Sequence, residues 1–154
     1  MKRNIIPTLL VISLFANAGL VYKFFYAGED VTAGKDDRYE IKMTSENREF
    51  VMAEMRGFLE SVQKINEGIA KDDPHLIAKV GGQSGTCKID AVPQGMVRSL
   101  PLGFKKMGFE THALFDATSK LAKDRYDRQQ TREKLDQLLK NCVACHRTYK
   151  ITTE

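Results

Sequence analysis

From Val51 to Ile69 the apolar residues recur at helical spacing: Val51, Met55, Phe58, Leu59, Val62, Ile65 and Ile69. At about 100° per residue they fall in one broad stripe, with Met55 near its centre and Met52 at its edge beside Leu59. A helix with one apolar face must bury that face against partners, and the sequence supplies them. Thr44-Ser45 caps this first helix, with Glu46 and Glu49 in the turn where the helix dipole favours acids. Asp72-Asp73-Pro74 ends it and opens a second, with Asp73 as cap and Pro74 at the first helical position. The second is short, His75 to about Val80, and Gly81-Gly82 stops it. Residues 83–94 read as loop, with Pro93 restarting a turn toward Leu100. Pro101 opens a third helix, whose period is kept by Phe104, Met107, Thr111, Leu114, Phe115, Thr118, Leu121 and Ala122. The fourth runs from about Arg128 to Tyr149 with the stripe Leu135, Leu138, Leu139, Cys142, Cys145, His146 and Tyr149. No segment alternates convincingly with period two. Residues 44–150 are therefore predicted to form an all-α, antiparallel four-helix bundle.

The stretch before the bundle has a different character. Met1-Lys2-Arg3 is a short basic start, and Ile5 to Tyr26 then carries one formal charge, Lys23. As a helix this run would be about 33 Å long, enough for a hydrocarbon core of about 30 Å. Lys23 could snorkel to the headgroups, and Tyr22 and Tyr26 suit the interface. Residues 1–26 are thus expected to be a transmembrane anchor, with residues 5–26 in the membrane. The alternative is a signal peptide cut near Ala18, since Ala16-Asn17-Ala18 fits the small-residue cleavage pattern. The first reading holds the chain on the periplasmic side of a bacterial inner membrane; the second releases it into the periplasm. Residues 27–43, polar and charge-mixed, read as a tether.

The 154 residues suffice for one modest domain. The net charge of +4 misleads, because Lys2, Arg3 and Lys23 belong to the N-terminal apolar run; without them 21 bases face 20 acids. Bases alternate with acids along the helices, as in Lys120, Lys123, Asp124, Arg125, Asp127 and Arg128, so no nucleic-acid surface is expected. Three cysteines are too few for a disulfide scaffold.

Two of those cysteines carry the chemistry. Residues 141–150 read N-C-V-A-C-H-R-T-Y-K. On a helix Cys142, Cys145 and His146 share one face. Two thiols one turn apart can add across the two vinyl groups on one edge of a haem, which leaves the adjacent imidazole placed to ligate the iron; C-x-x-C-H reads as c-type haem attachment. A thioredoxin-type C-x-x-C wants a helix N-terminus to lower its thiol pKa, whereas this one lies near a helix C-terminus. A zinc site lacks a fourth ligand. One covalent haem c is the expected cofactor.

The motif at the end of the last helix, Cys142-Val143-Ala144-Cys145-His146-Arg147-Thr148-Tyr149-Lys150, resembles the C-x-x-C-H-x-x-Tyr-Arg/Lys ending of the class II c-type cytochromes. These four-helix bundles include cytochrome c′ and the low-spin cytochrome c556 type, and the likeness spans about residues 44–150. Ser99-Leu100-Pro101-Leu102-Gly103-Phe104, Gly108-Phe109-Glu110-Thr111-His112 and Phe115-Asp116 look like a membrane-tethered or periplasmic branch of the group. The anchor and the Cys87 loop depart from the family. The resemblance implies thioethers from Cys142 and Cys145, a proximal His146, and Tyr149 and Lys150 covering the haem edge. It also implies dependence on a cytochrome c maturation machinery.

The second axial position decides the function. In cytochrome c′ it is an open apolar pocket, whereas in the c556 type a first-helix Met fills it. The family's Arg-then-Met spacing of four points from Arg48 to Met52, while the stripe geometry points to Met55; the third reading is that both are core filler. Met55 is taken as the expected sixth ligand and Met52 as the alternative. His112 is read as a boundary residue, with propionate contact or iron ligation as alternatives, and His75 as exposed. Cys87 is read as unpaired, with an intermolecular disulfide as the alternative.

The sequence therefore predicts a membrane-tethered mono-haem carrier of single electrons, not an enzyme, exchanging with redox partner proteins at the membrane. Two rivals stand beside it. One is a five-coordinate cytochrome c′-like binder of NO or CO. The other is a haem subunit fixed within a larger respiratory complex. A homodimer is also compatible with the resemblance.

Overall fold

The computed structural model describes residues 5–28, 31–93 and 95–153. The basic start, Lys2 and Arg3, lies outside them. Helix α1 spans Ile5–Val21 and buries none of its residues. α-Helical hydrogen bonding stops there, and Tyr22–Ala27 continues as a π-helical turn. Gly28 ends it at φ 72°, buried where an added Cβ would lie 2.1 Å from the Leu100 carbonyl oxygen. The 17 residues of α1 rise about 25 Å, short of the hydrocarbon thickness of about 30 Å. Among the described residues no helix is long and apolar enough to cross a membrane. This corrects the expected transmembrane helix and the membrane-anchored localisation built on it. The apolar run from Ile5 to Tyr26 is continuous in composition, but the α-helix is not continuous along it.

Strands β1 (Thr32–Ala33) and β2 (Tyr39–Met43) follow, inside the stretch read as a tether. Helix α2 (Ser45–Lys71) opens where Thr44 Oγ1 accepts the Asn47 N–H at 3.3 Å, and closes on Asp72 in left-handed backbone. Helix α3 (Pro74–Gln83) opens where Asp73 Oδ1 accepts the Leu76 N–H at 2.9 Å. It runs through Gly81-Gly82 instead of stopping at Val80. A Cβ on Gly81 would stand 2.9 Å from the Phe115 carbonyl oxygen, so its absence lets α3 lie against the next long helix. That close packing outweighs the helix penalty of glycine, about 1 kcal/mol. A 3₁₀ turn over Thr86–Ala91 and the short α4 (Met96–Ser99) lead to α5 (Leu102–Arg125), which follows Pro101. Asp127 caps α6 (Arg128–Thr148) by accepting the Gln130 N–H at 2.7 Å. Strand β3 (Tyr149–Thr153) ends the described chain.

The long helices α2, α5 and α6 and the shorter α3 enclose one core: Phe58, Ile65 and Ile69 of α2, Ile77 and Val80 of α3, Phe115 and Ala122 of α5, Leu135 and Leu138 of α6. A second cluster sits at one end, where Ile41 and Met43 of β2 meet Val51, Met96 and Leu100. Below it the three strands form one sheet. β2 pairs antiparallel with β1 and parallel with β3, in register from Tyr39 opposite Tyr149 to Met43 opposite Thr153. The fold-class expectation is thereby corrected further: the described residues hold six α-helices and a small sheet. Strand β2 does alternate, with Ile41 and Met43 buried and Glu40 and Lys42 facing away from the core. Five residues are too short to announce the period, and the strand's parallel partner lies at the far end of the chain. Leu59, counted in the apolar stripe, is 71% exposed.

Candidate functional site

Between the two apolar clusters lies a cavity of about 110 Å³ that opens to solvent. Its walls come from α2 (Phe50, Val51, Glu54, Met55, Phe58), the segment ahead of α5 (Val92, Met96, Leu100), α5 (Phe104, Lys105, His112) and α6. From α6 the contributors are Cys142, Cys145 and His146. The helical offsets of the motif therefore turn both thiols and the imidazole toward one hollow. Both cysteines are half-buried, whereas His146 is exposed at the rim. Asn141, just before the motif, fixes this part of α6 to α5: its Nδ2 donates to the Met107 carbonyl and to Thr111 Oγ1, each at 2.9 Å.

The thiols are unpaired. Burial pushes the Cys142 thiol above its ordinary pKa; burial and then the neighbouring Cys142 do the same to Cys145. A redox-active C-x-x-C needs the opposite shift. Among the described residues no three His, Cys, Asp or Glu converge to hold a bare metal ion.

The expected ligands separate cleanly. Met55 lines the cavity and packs against both clusters, while Met52 is not among the lining residues. His112 also lines it, 7% exposed, with Nδ1 donating to the Ser84 carbonyl at 2.9 Å and Nε2 facing Glu54 Oε2 at 3.8 Å. It is a buried residue rather than a boundary one. His75 is exposed, and so is Cys87, whose Sγ donates to the Gly82 carbonyl at 3.3 Å.

Tyr149 and Lys150 face the small sheet and do not line the cavity. The Tyr149 ring meets Phe104 edge-on at 5.6 Å and Tyr39 at 6.2 Å. Its hydroxyl occupies the space that a side chain on Gly103 would need. Lys150 is held by Glu40 at 3.0 Å and Asp36 at 3.1 Å, which raise its pKa.

Lys105 was missed. It is 7% exposed, and its Nζ is buried without a hydrogen-bond partner. The signal was available: Lys105 lies seven residues, nearly two helical turns, before His112 and so shares its face. The hollow is thus largely apolar, and the polar or sulfur-bearing groups on its walls include Cys142, Cys145, His112, His146, Met55, Met96, Glu54 and Lys105. The chain matches no protein-family model, no curated protein and no solved structure.

Proposed function

We propose that this chain is a mono-haem c-type cytochrome of the class II kind, which passes single electrons between redox partner proteins. The observation that carries the reading is that Cys142, Cys145, His146 and Met55, drawn from two helices, line one cavity with largely apolar walls. Cys142 and Cys145 would hold the haem by thioethers, and His146 and Met55 would ligate its iron. When bound, the haem supplies a one-electron couple. The residues of the chain set the terms of that couple. The largely apolar walls would lower the polarity around the iron, and a Met thioether would favour the reduced state, which raises the potential. Ligands carried on two packed helices keep their geometry when the charge changes, so little reorganisation accompanies transfer.

The test is made on chain matured in cells that attach c-type haem. A mass gain of about 616 Da is expected; unmodified polypeptide sinks the reading. Low-spin ferrous bands with a weak near-infrared sulfur-to-iron absorption are expected of the native chain and of Met52→Ala, and the near-infrared band is expected to vanish in Met55→Ala. A high-spin native spectrum that shifts readily with CO assigns the site to gas binding instead.

A further inference from the structure

Helix α5 turns a polar residue inward at every seventh position: Lys105, His112 and Ser119, which are 7%, 7% and 3% exposed. Two of them end on backbone carbonyls beside α3. Ser119 Oγ donates to Ala78 at 2.7 Å, and His112 Nδ1 donates to Ser84 at 2.9 Å. The two threonines on the same side, Thr111 and Thr118, donate to the carbonyls of Met107 and Leu114 within α5. Lys105 alone has no acceptor, although its Nζ is buried. It borders the cavity that holds Cys142, Cys145 and His146, with Phe104 and Leu100 among its neighbours on the wall.

Glu54 lines the same cavity but makes no ion pair with Lys105, and a buried ammonium with no hydrogen-bond partner is unfavourable where a Met or Leu would fill the same volume without that cost. The charge finds its match once the cavity is filled by a molecule with an acidic group, because –NH₃⁺ has three donors and no acceptor. We propose that Lys105 seats a carboxylate of the molecule held in this cavity. On the haem reading, on which this inference rests, that carboxylate is a haem propionate. Lys105 is then a positioning residue: it fixes the rotation of the macrocycle about its two thioether bonds and places one positive charge beside the redox centre.

The experiment compares haem-loaded full-length chain with its Lys105→Met and Lys105→Arg variants. The mass gain of the native chain tests the underlying reading separately. Potentiometric titration then reads the inference. Loss of a cation beside the haem favours the more positive oxidised form. Lys105→Met is expected to shift the one-electron equilibrium about tenfold toward the oxidised state, a fall of about 59 mV. Lys105→Arg is expected to restore most of it. A haem-loaded Lys105→Met chain whose equilibrium stays within about twofold of native overturns the inference and leaves the haem reading standing; native chain without haem overturns both. Should Lys105→Met fail to mature, a crystal structure of the native haem-loaded chain decides the point. Nζ within about 3.2 Å of a propionate oxygen supports the assignment, and Nζ turned to solvent or to iron overturns it.

Discussion

Leu59→Ala and Leu138→Ala delete the same three carbons from two neighbouring helices, yet the structure assigns them very different costs. Leu138 is 1% exposed within the main core, and Leu59 is 71% exposed on the outer side of α2. For Leu138 the lost transfer energy is about 2.4 kcal/mol at about 0.8 kcal/mol per methylene. The void left behind adds up to about 2 kcal/mol at about 24 cal/mol per Å³. A loss of about 3–4 kcal/mol is expected, a large share of the roughly 5–15 kcal/mol that holds a domain folded. For Leu59 the loss is expected below about 0.5 kcal/mol. Urea titration followed by far-ultraviolet circular dichroism separates the two. With a slope of about 2 kcal/mol per M, the Leu138→Ala midpoint falls by about 1.5–2 M and the Leu59→Ala midpoint by under about 0.3 M. Equal losses, or a Leu138→Ala loss under about 1 kcal/mol, would mean that α6 is not seated on α2 and α5 as described.

Two further outcomes follow from contacts away from the cavity. Gly81→Val drives a side chain into the Phe115 backbone and is expected to cost about 2 kcal/mol. That is roughly 4–8 °C in Tm by calorimetry, and an unchanged Tm refutes the close approach of α3 to α5. The Arg128 guanidinium, then the Tyr126 hydroxyl, hold the Asp72 carboxyl below its ordinary pKa of 3.8. Its contribution is full above that value and is lost as pH falls below it. The stability gap between native chain and Asp72→Asn should therefore hold steady from about pH 7 to about pH 5 and narrow as pH falls below about 4; a gap that stays constant there speaks against the link between the end of α2 and the start of α6.

Much of this fold was legible in the sequence because its determinants are local. The caps Thr44 and Asp73 act three residues away, and the stripe Val51, Phe58, Ile65 and Ile69 follows from helix geometry alone. The shared face of Cys142, Cys145 and His146 was readable for the same reason, as was the placing of Met55 nearer than Met52 to the centre of the apolar stripe. What was not legible depends on distant partners. Strand β2 exists because β3 pairs with it across more than a hundred residues of chain. The ion pairs of Lys150 with Asp36 and Glu40 likewise join distant parts of the chain. At Gly81 tertiary packing overrode local helix propensity. The N-terminal run failed differently: hydropathy sums side chains, and the backbone changed hydrogen-bonding pattern at Tyr22.

The parallel pairing of β2 with β3 also orders events in time. Because Tyr39 meets Tyr149 and Met43 meets Thr153, the sheet cannot zip until residues 149–153 have left the ribosome. Cys142 and Cys145 emerge before that clasp can fasten. The sheet is therefore the last part of the described fold that can close, and it ties the segment ahead of α2 to the segment after α6.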